Sequence, residues 1–144
     1  MAMPRANISE SLRRQVGEDA HHRCGYCLTA QKISGAQMHV EHIVPLAAGG
    51  ASVRENLWLA CAWCNGYKGS QTHARDPLTS ETVALFDPRR QVWREHFAWS
   101  DDGTQVIGRT ACGRAPVMAL RLNHAIPVEA RRLWVKAGWH PPED

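Results

Sequence analysis

The sequence predicts an α+β fold organised around one strand-loop-strand-helix unit that is held together by a metal ion. Apolar and polar residues alternate over 38–44 and 57–60, on the two sides of a glycine-containing loop, as expected for two paired strands. The pattern becomes helical directly afterwards, over 61–70. Two Cys-x-x-Cys pairs, at 24–27 and 61–64, frame this unit and supply candidate metal ligands.

Length and composition suit a folded domain rather than a disordered or membrane-spanning chain. The chain has 144 residues, of which 44% are hydrophobic and 22% charged, so it can bury a core of ordinary size. No apolar run approaches the roughly 20 residues of a membrane helix, and residues 1–7 lack the apolar stretch of a signal peptide. We therefore expect one domain over 1–144, no membrane partner and a cytoplasmic location.

The charge distribution permits a polyanionic partner without requiring one. The formal net charge is only +3, and the basic residues form local pairs at 13–14, 89–90 and 131–132. Such pairs can contact phosphates, because each arginine presents several donors to an anionic oxygen. For the pair at 13–14, a solvated helix face is an equally good interpretation.

The four paired cysteines are the strongest metal signal in the sequence. One Cys-x-x-Cys pair is also typical of redox proteins, but two pairs separated by the 33 residues 28–60 supply four thiolates. Four thiolates fill the tetrahedral coordination sphere of Zn²⁺, and a chain without an export signal favours metal over disulfides. The sequence therefore predicts a closed, structural Zn²⁺ site in a treble-clef arrangement. Its ligands are Cys24, Cys27, Cys61 and Cys64.

A helix is predicted before this core and a loop after it. Ser9 can cap a helix in which Leu12 and Val16 recur at helical spacing, so we expect a helix over 9–20. Residues 72–88 have few periodic apolar positions, and this predicts a loop that packs over the core.

A second β-hairpin and two helices are predicted in the accessory region, residues 71–144, which follows the zinc-stapled core. Alternation over 92–100 and the turn signal Asp-Asp-Gly predict pairing with 104–109. Pro116 and Pro127 each suit a first helical position, so two helices should begin there. The last helix is expected to keep three basic side chains in solvent: Arg131, Arg132 and Lys136.

Residues 24 to about 70 resemble the HNH endonuclease family. The ββα-metal motif of that family has an acidic residue or His followed by His on the first strand, an Asn near the second strand, and a His or Asn on the helix. The matching residues here are Glu41, His42, Asn56 and Asn65. Many members also carry the two Cys-x-x-Cys pairs. Because Asn65 stands where the third letter of the family name would be His, the sequence is an HNN variant.

The resemblance implies metal-dependent hydrolysis of phosphodiester bonds in DNA, and we expect double-stranded DNA as the partner. His42 is the predicted general base, since the pKa of histidine lies near physiological pH. Glu41 and Asn65 offer hard oxygen ligands to a catalytic Mg²⁺ or Mn²⁺ ion, and the loss of an imidazole favours Mg²⁺. Neighbouring residues of a regular strand point to opposite faces, so joint action of Glu41 and His42 requires a distortion or a substrate across the strand end.

Other polar residues have supporting roles in this interpretation. Asn56 is expected to tie residues 45–53 with side-chain hydrogen bonds and thereby to orient His42. Lys68 and Arg54 are candidate contacts to the flanking phosphates, although a solvated surface explains any single Lys or Arg equally well. Two further candidate metal ligands are His39 and His73.

A non-catalytic zinc treble-clef module that binds nucleic acid or protein is the alternative prediction. Such a module has no need to keep a carboxylate, an imidazole and two amides together on one hairpin and helix. The combination of Glu41, His42, Asn56 and Asn65 therefore favours the nuclease.

Overall fold

Six α-helices and three two-stranded antiparallel sheets alternate along the chain in the computed structural model, which describes residues 8–143. The helices are α1 (Glu10–Asp19), α2 (Gln31–Ser34), α3 (Ala62–Lys68), α4 (Trp93–His96), α5 (Ala111–Ala119) and α6 (Ala125–Lys136). The strands are β1 (His39–His42), β2 (Leu57–Ala60), β3 (His73–Arg75), β4 (Thr82–Ala84), β5 (Phe97–Trp99) and β6 (Val106–Gly108). The predicted α+β class is confirmed.

Helix α1 begins as the sequence predicts. The Ser9 hydroxyl accepts a hydrogen bond from the Leu12 amide at 3.1 Å, which satisfies one of the free N–H groups of the first turn. Val16 is fully buried, and Leu12 packs against the same core. One face of α1 thus anchors the helix, while the other face leaves Arg13 and Arg14 exposed.

The central hairpin pairs β1 with β2 in a register that places Glu41 opposite Trp58 and His42 opposite Leu57. The second strand has the predicted bounds, and its residues Leu57 and Leu59 are buried. The first strand is shorter than the predicted 38–44. It ends at His42 because the backbone of the following segment bonds to the side chain of Asn56 instead of continuing the ladder.

The segment 72–88 contains a hairpin, so the predicted loop is wrong. Strands β3 and β4 pair antiparallel, with His73 opposite Ala84. The turn between them is built on Asp76, whose carboxylate accepts from the Leu78 amide and the Thr79 hydroxyl, each at 3.0 Å. These three-residue strands have mostly exposed side chains, and they therefore lack the apolar alternation that would have revealed them.

The second predicted hairpin is confirmed by the pairing of β5 with β6, but its first strand begins later than expected. Residues Trp93–His96 form the single helical turn α4 instead of extended chain. The Trp93 indole donates to the Tyr26 carbonyl at 2.8 Å and stacks on Phe97 at 5.1 Å between ring centroids. Contacts with the zinc knuckle thus stabilise a turn where local alternation predicted a strand.

Both C-terminal helices begin before the prolines that were expected to start them. Helix α5 starts at Ala111, and Pro116 is buried in its second turn. Gly113 lets this first turn pack closely on His96, because a Cβ atom there would overlap the carbonyl oxygen of His96. Helix α6 starts at Ala125, and the imidazole of His124 caps it by accepting from the Ile126 amide at 3.2 Å.

Arg131 lies inside the protein, contrary to the prediction that it stays in solvent. It is 2% exposed, and its guanidinium donates to the Thr104 carbonyl at 2.9 Å and lies over the Trp99 ring. The β5–β6 hairpin covers this face of α6, a contact that helical spacing alone does not reveal. The basic pair at 131–132 is therefore not a surface pair.

One hydrophobic core connects these elements. It includes residues of α1, the zinc knuckle, the β1–β2 and β5–β6 hairpins and the chain after α5, among them Val16, Tyr26, Leu57, Phe97 and Leu122. Within the described part of the chain, no helix has both the length and the apolar character that a membrane crossing requires.

Candidate functional site

The four predicted zinc ligands come together in one cluster. The Sγ atoms of Cys24, Cys27, Cys61 and Cys64 all lie within 4.8 Å of one another, and none of these cysteines forms a disulfide. Tetrahedral coordination with Zn–S bonds of about 2.3 Å requires sulfur atoms roughly 3.8 Å apart. The sulfurs of Cys27 and Cys61 are 3.7 Å apart. The predicted cluster is confirmed, and its donors fit one Zn²⁺ ion in a treble-clef-like core.

Local backbone geometry holds the first two cysteines against the hairpin. The Gly25 amide donates to the Leu59 carbonyl at 2.9 Å, and a Cβ atom at Gly25 would overlap the ring of Trp58. Glycine is therefore required where the knuckle meets β2. At the other end of the cluster, Cys61 is the N-cap of α3, and its thiol accepts from the Cys64 amide at 3.4 Å.

Glu41 points from β1 into the protein. Its side chain is nearly buried, accepts a hydrogen bond from the Tyr26 hydroxyl and lies 3.6 Å from the Lys68 ammonium. Burial raises the pKa of Glu41, while Lys68 and Tyr26 act in the opposite direction. The carboxylate is thus held in place by one neighbour from the zinc knuckle, Tyr26, and one from α3, Lys68.

His42 is half-buried on the opposite side of the strand. Its Nε2 atom lies 2.9 Å from the Ser52 hydroxyl, which fixes the ring orientation. Burial, with a smaller effect of the Lys68 charge, lowers the pKa of His42 and favours the neutral imidazole. The sequence analysis missed Ser52, because a serine in a loop gives no signal beyond a turn.

Asn56 ties the loop between the strands. Its Oδ1 accepts from the Val44 amide at 2.8 Å, and its Nδ2 donates to the carbonyls of Val44 and Ala51, both at 2.9 Å. These are side-chain bonds of the kind that the sequence predicts. Gly50 is required in this loop, because a Cβ atom there would overlap the Val44 carbonyl. Both ends of the loop that follows His42 are therefore fixed.

Glu41, His42 and Asn65 share one cleft although the two strand residues point to opposite faces. The cleft has a volume of about 200 Å³ and lies where β1 ends beside α3. Pro45 and Gly69 also line it. The three residues line one opening at the end of the strand, which is regular up to His42.

Residues 24–71 match the model of the HNH endonuclease family. The match covers a third of the chain, and we call this matched segment the HNH domain. It contains the zinc cluster, the central hairpin and α3, and with them Glu41, His42, Asn56 and Asn65. Neither the curated proteins nor the solved structures include a match to this chain.

Lys68 lies inside the HNH domain rather than on its surface. It is 2% exposed, and its ammonium donates to the carbonyls of His42 at 3.3 Å and Ile43 at 3.4 Å, in addition to its ion pair with Glu41. The last turn of α3 packs under β1, which directs this side chain inward. The phosphate contact predicted for Lys68 has no support from this position.

Arg54 connects the HNH domain to α1. Its guanidinium donates to both carboxylate oxygens of Asp19, at 2.8 and 2.7 Å, and Arg89 donates to the same carboxylate at 3.0 Å. Arg54, with a smaller contribution from Arg89, lowers the pKa of Asp19 to about 2. The cation that was predicted to hold a phosphate is thus engaged by an internal carboxylate.

The two histidines considered as extra metal ligands lie outside the cleft of Glu41, His42 and Asn65. His39 is exposed at the start of β1 and lines an adjoining cleft. His73 is exposed on β3, where its Nδ1 atom lies 2.9 Å from the Thr72 hydroxyl. Neither of the two clefts is lined by His73.

Proposed function

We propose that this protein is a metal-dependent endonuclease that hydrolyses phosphodiester bonds in double-stranded DNA. The observation that carries the proposal is the common cleft of Glu41, His42 and Asn65 within a segment that matches the HNH endonuclease family. The cleft combines a proton acceptor with hard oxygen donors, and hydrolysis of a phosphodiester requires both.

His42 acts as the general base. In the tautomer that suits this role, the Nε2–H group donates a hydrogen bond to the Ser52 hydroxyl, and Nδ1 carries the lone pair that accepts a proton from the attacking water. The lowered pKa of His42 keeps the imidazole neutral near pH 7, which is the form that a base needs. Asn56 acts as a positioning residue, because its three hydrogen bonds fix the loop that carries Ser52 toward His42.

Glu41 and Asn65 would hold the catalytic ion, Mg²⁺ or Mn²⁺. Both residues line one cleft and carry side-chain oxygens, and Mg²⁺ commonly binds through one or two protein oxygens while it keeps several waters. When bound, the ion neutralises the charge that develops on the phosphate oxygens. The four cysteines would hold a separate structural Zn²⁺, because four thiolates suffice for a tetrahedral ion.

One observation favours a second candidate, a non-catalytic zinc module that binds nucleic acid or protein. The Glu41 carboxylate already has two partners, Tyr26 and Lys68, so it has a structural role that requires no catalysis. The two candidates differ in whether the chain cuts DNA.

Plasmid cleavage distinguishes them. The purified protein should nick or linearise supercoiled plasmid in the presence of Mg²⁺ or Mn²⁺. The variant His42→Ala should lose about 10² to 10⁴ in rate while it retains zinc and fold, because a general base acts in the transition state. His21→Ala is a control, since His21 is an exposed histidine that lines neither cleft of the site.

The role of Asn65 as a ligand of the catalytic ion can be tested separately in the same assay. Asn65→Ala should require more Mg²⁺ or Mn²⁺ for half-maximal cleavage, whereas extra metal should not restore His42→Ala. A parent protein that binds DNA but cuts none with either ion would make the binding module the correct interpretation. A His42→Ala variant as active as the parent would remove His42 from the mechanism.

A further inference from the structure

A second cleft adjoins the candidate active site along β1 and α3. It has a volume of about 310 Å³ and is lined by Arg13, Gln37, Met38, His39, Val40 and Asn65. Val40 and Asn65 also line the cleft that contains Glu41 and His42, so the two clefts are neighbours. A ligand that extends beyond the reacting phosphate would pass into this second cleft.

Arg13 is an available cation in this second cleft. It is exposed on α1 and forms no ion pair with any other residue in the described range 8–143. The cations predicted from sequence to hold phosphates are engaged elsewhere, Lys68 by Glu41 and Arg54 by Asp19. A cation that contacts a phosphate beside the site must therefore come from outside the family motif, and Arg13 is in the right place.

The backbone of Arg13 belongs to a helix that is anchored at both Val16 and Asp19. Helix α1 is anchored by the buried Val16, and at its C-terminal end Asp19 is held by Arg54 from the turn before β2 and by Arg89. A guanidinium on a rigid helix loses less freedom on binding than one on a mobile loop.

We propose that Arg13 and His39 bind a backbone phosphate of DNA next to the phosphate cleaved beside His42. This inference rests on the proposed function, and it assigns the second cleft to the phosphate next to the cleaved one. Arginine suits this role because its planar donors match phosphate oxygens in a bidentate manner, and the exposed His39 ring adds a further N–H donor. The contact is to the backbone, so it orients the substrate without reading base sequence.

The test compares Arg13→Gln with Arg14→Gln. Arg14 is the matched control, because it is the neighbouring arginine on the same helix, is equally exposed and does not line the second cleft. Each change is introduced into the His42→Ala variant. Binding of a short fluorescent DNA duplex is then measured by anisotropy with Mg²⁺ at several salt concentrations. Zinc content and thermal melting confirm that each variant is folded.

Arg13→Gln should weaken binding roughly tenfold and reduce the slope of log affinity against log salt by about 0.9, the value for one phosphate contact. Arg13→Lys should restore the slope, since the charge returns, but only part of the affinity. His39→Ala should weaken binding by a smaller factor. In cleavage by otherwise unchanged protein, Arg13→Gln should raise KM more than it lowers kcat.

Equal behaviour of Arg13→Gln and Arg14→Gln, in affinity and in salt slope, would overturn the subsite. If the parent protein still cuts DNA, the proposed endonuclease activity would stand even though the subsite is rejected. Conversely, a parent that never cuts but loses DNA affinity specifically with Arg13→Gln would support the subsite and overturn the endonuclease. A parent that neither binds nor cuts DNA would overturn both.

Discussion

The carboxylate of Glu41 lies 3.6 Å from the ammonium of Lys68, and both side chains are almost completely buried. This ion pair joins β1 to the last turn of α3, and Tyr26 connects it to the zinc knuckle. The residue predicted as an ion ligand, Glu41, and the residue predicted as a phosphate contact, Lys68, therefore stabilise the unit that carries the site.

Replacing Lys68 with Met should destabilise the protein by about 3 to 5 kcal/mol, because it leaves a buried carboxylate without its partner. The double variant Lys68→Met with Glu41→Gln should lose less than Lys68→Met alone, since neither charge is then left unpaired. Urea unfolding of the zinc-loaded variants measures both values. A loss in the double variant equal to the sum of the losses of Lys68→Met and Glu41→Gln would show that the two side chains do not stabilise each other.

The cysteine cluster should bind one Zn²⁺ per chain, and Cys61→Ser should lose the metal and unfold much of the protein. Small structural zinc sites contribute on the order of 10 kcal/mol, so three thiolates will not maintain the fold. Elemental analysis and circular dichroism measure metal content and folding. Cys112→Ser is the control, because Cys112 lies outside the cluster and should leave the zinc content unchanged. A well-folded Cys61→Ser protein would contradict the prediction.

Asn56→Ala should lower both stability and cleavage, because it leaves one amide and two carbonyls of the loop without their partner. The expected loss of stability is about 1 to 3 kcal/mol. Asn56→Asp keeps the acceptor for Val44 but loses the two donated bonds, so its cleavage rate should fall between those of the parent and Asn56→Ala. Full activity of Asn56→Ala in folded protein would remove the positioning role.

The Asp19 carboxylate should stabilise the protein in a pH-dependent way. Its pKa falls from an ordinary value of 3.8 to about 2 in the folded chain, so the stabilisation is complete above about pH 5 and is lost as the pH falls through about 2. Asp19→Asn should therefore cost roughly 1 to 2 kcal/mol at pH 7. The difference between parent and variant should shrink as the pH falls from 4 toward 2.

This dependence can be followed by urea unfolding from pH 7 down to the lowest pH at which both proteins still fold. Glu18→Gln is a suitable control, because Glu18 is the exposed neighbouring carboxylate on α1. A difference between parent and Asp19→Asn that stays constant with pH would show that the ion pairs with Arg54 and Arg89 are not its source.

The local parts of this protein could be predicted from sequence because their causes are local. Cysteine spacing predicts the zinc cluster, alternation on both sides of Gly49 and Gly50 predicts the central hairpin, and Ser9 predicts the start of α1. Glu41, His42 and Asn65 were predicted as one site for the same reason. They lie on a hairpin and a helix that are consecutive in the chain, so the order of the elements brings them to one cleft.

Only the tertiary structure shows which charged side chains are exposed to solvent and which are buried. Arg131 bonds to Thr104, and the buried Asp76 pairs with Arg114, across 27 and 38 residues of chain respectively. A lysine or arginine has the same helical spacing whether its face is covered or free. Arg131 and Lys68 are buried because other elements pack over them. The residue pattern of their own helices does not predict this burial. Arg13 lines the cleft beside the site, whereas Arg54 is bound to the carboxylate of Asp19 on α1.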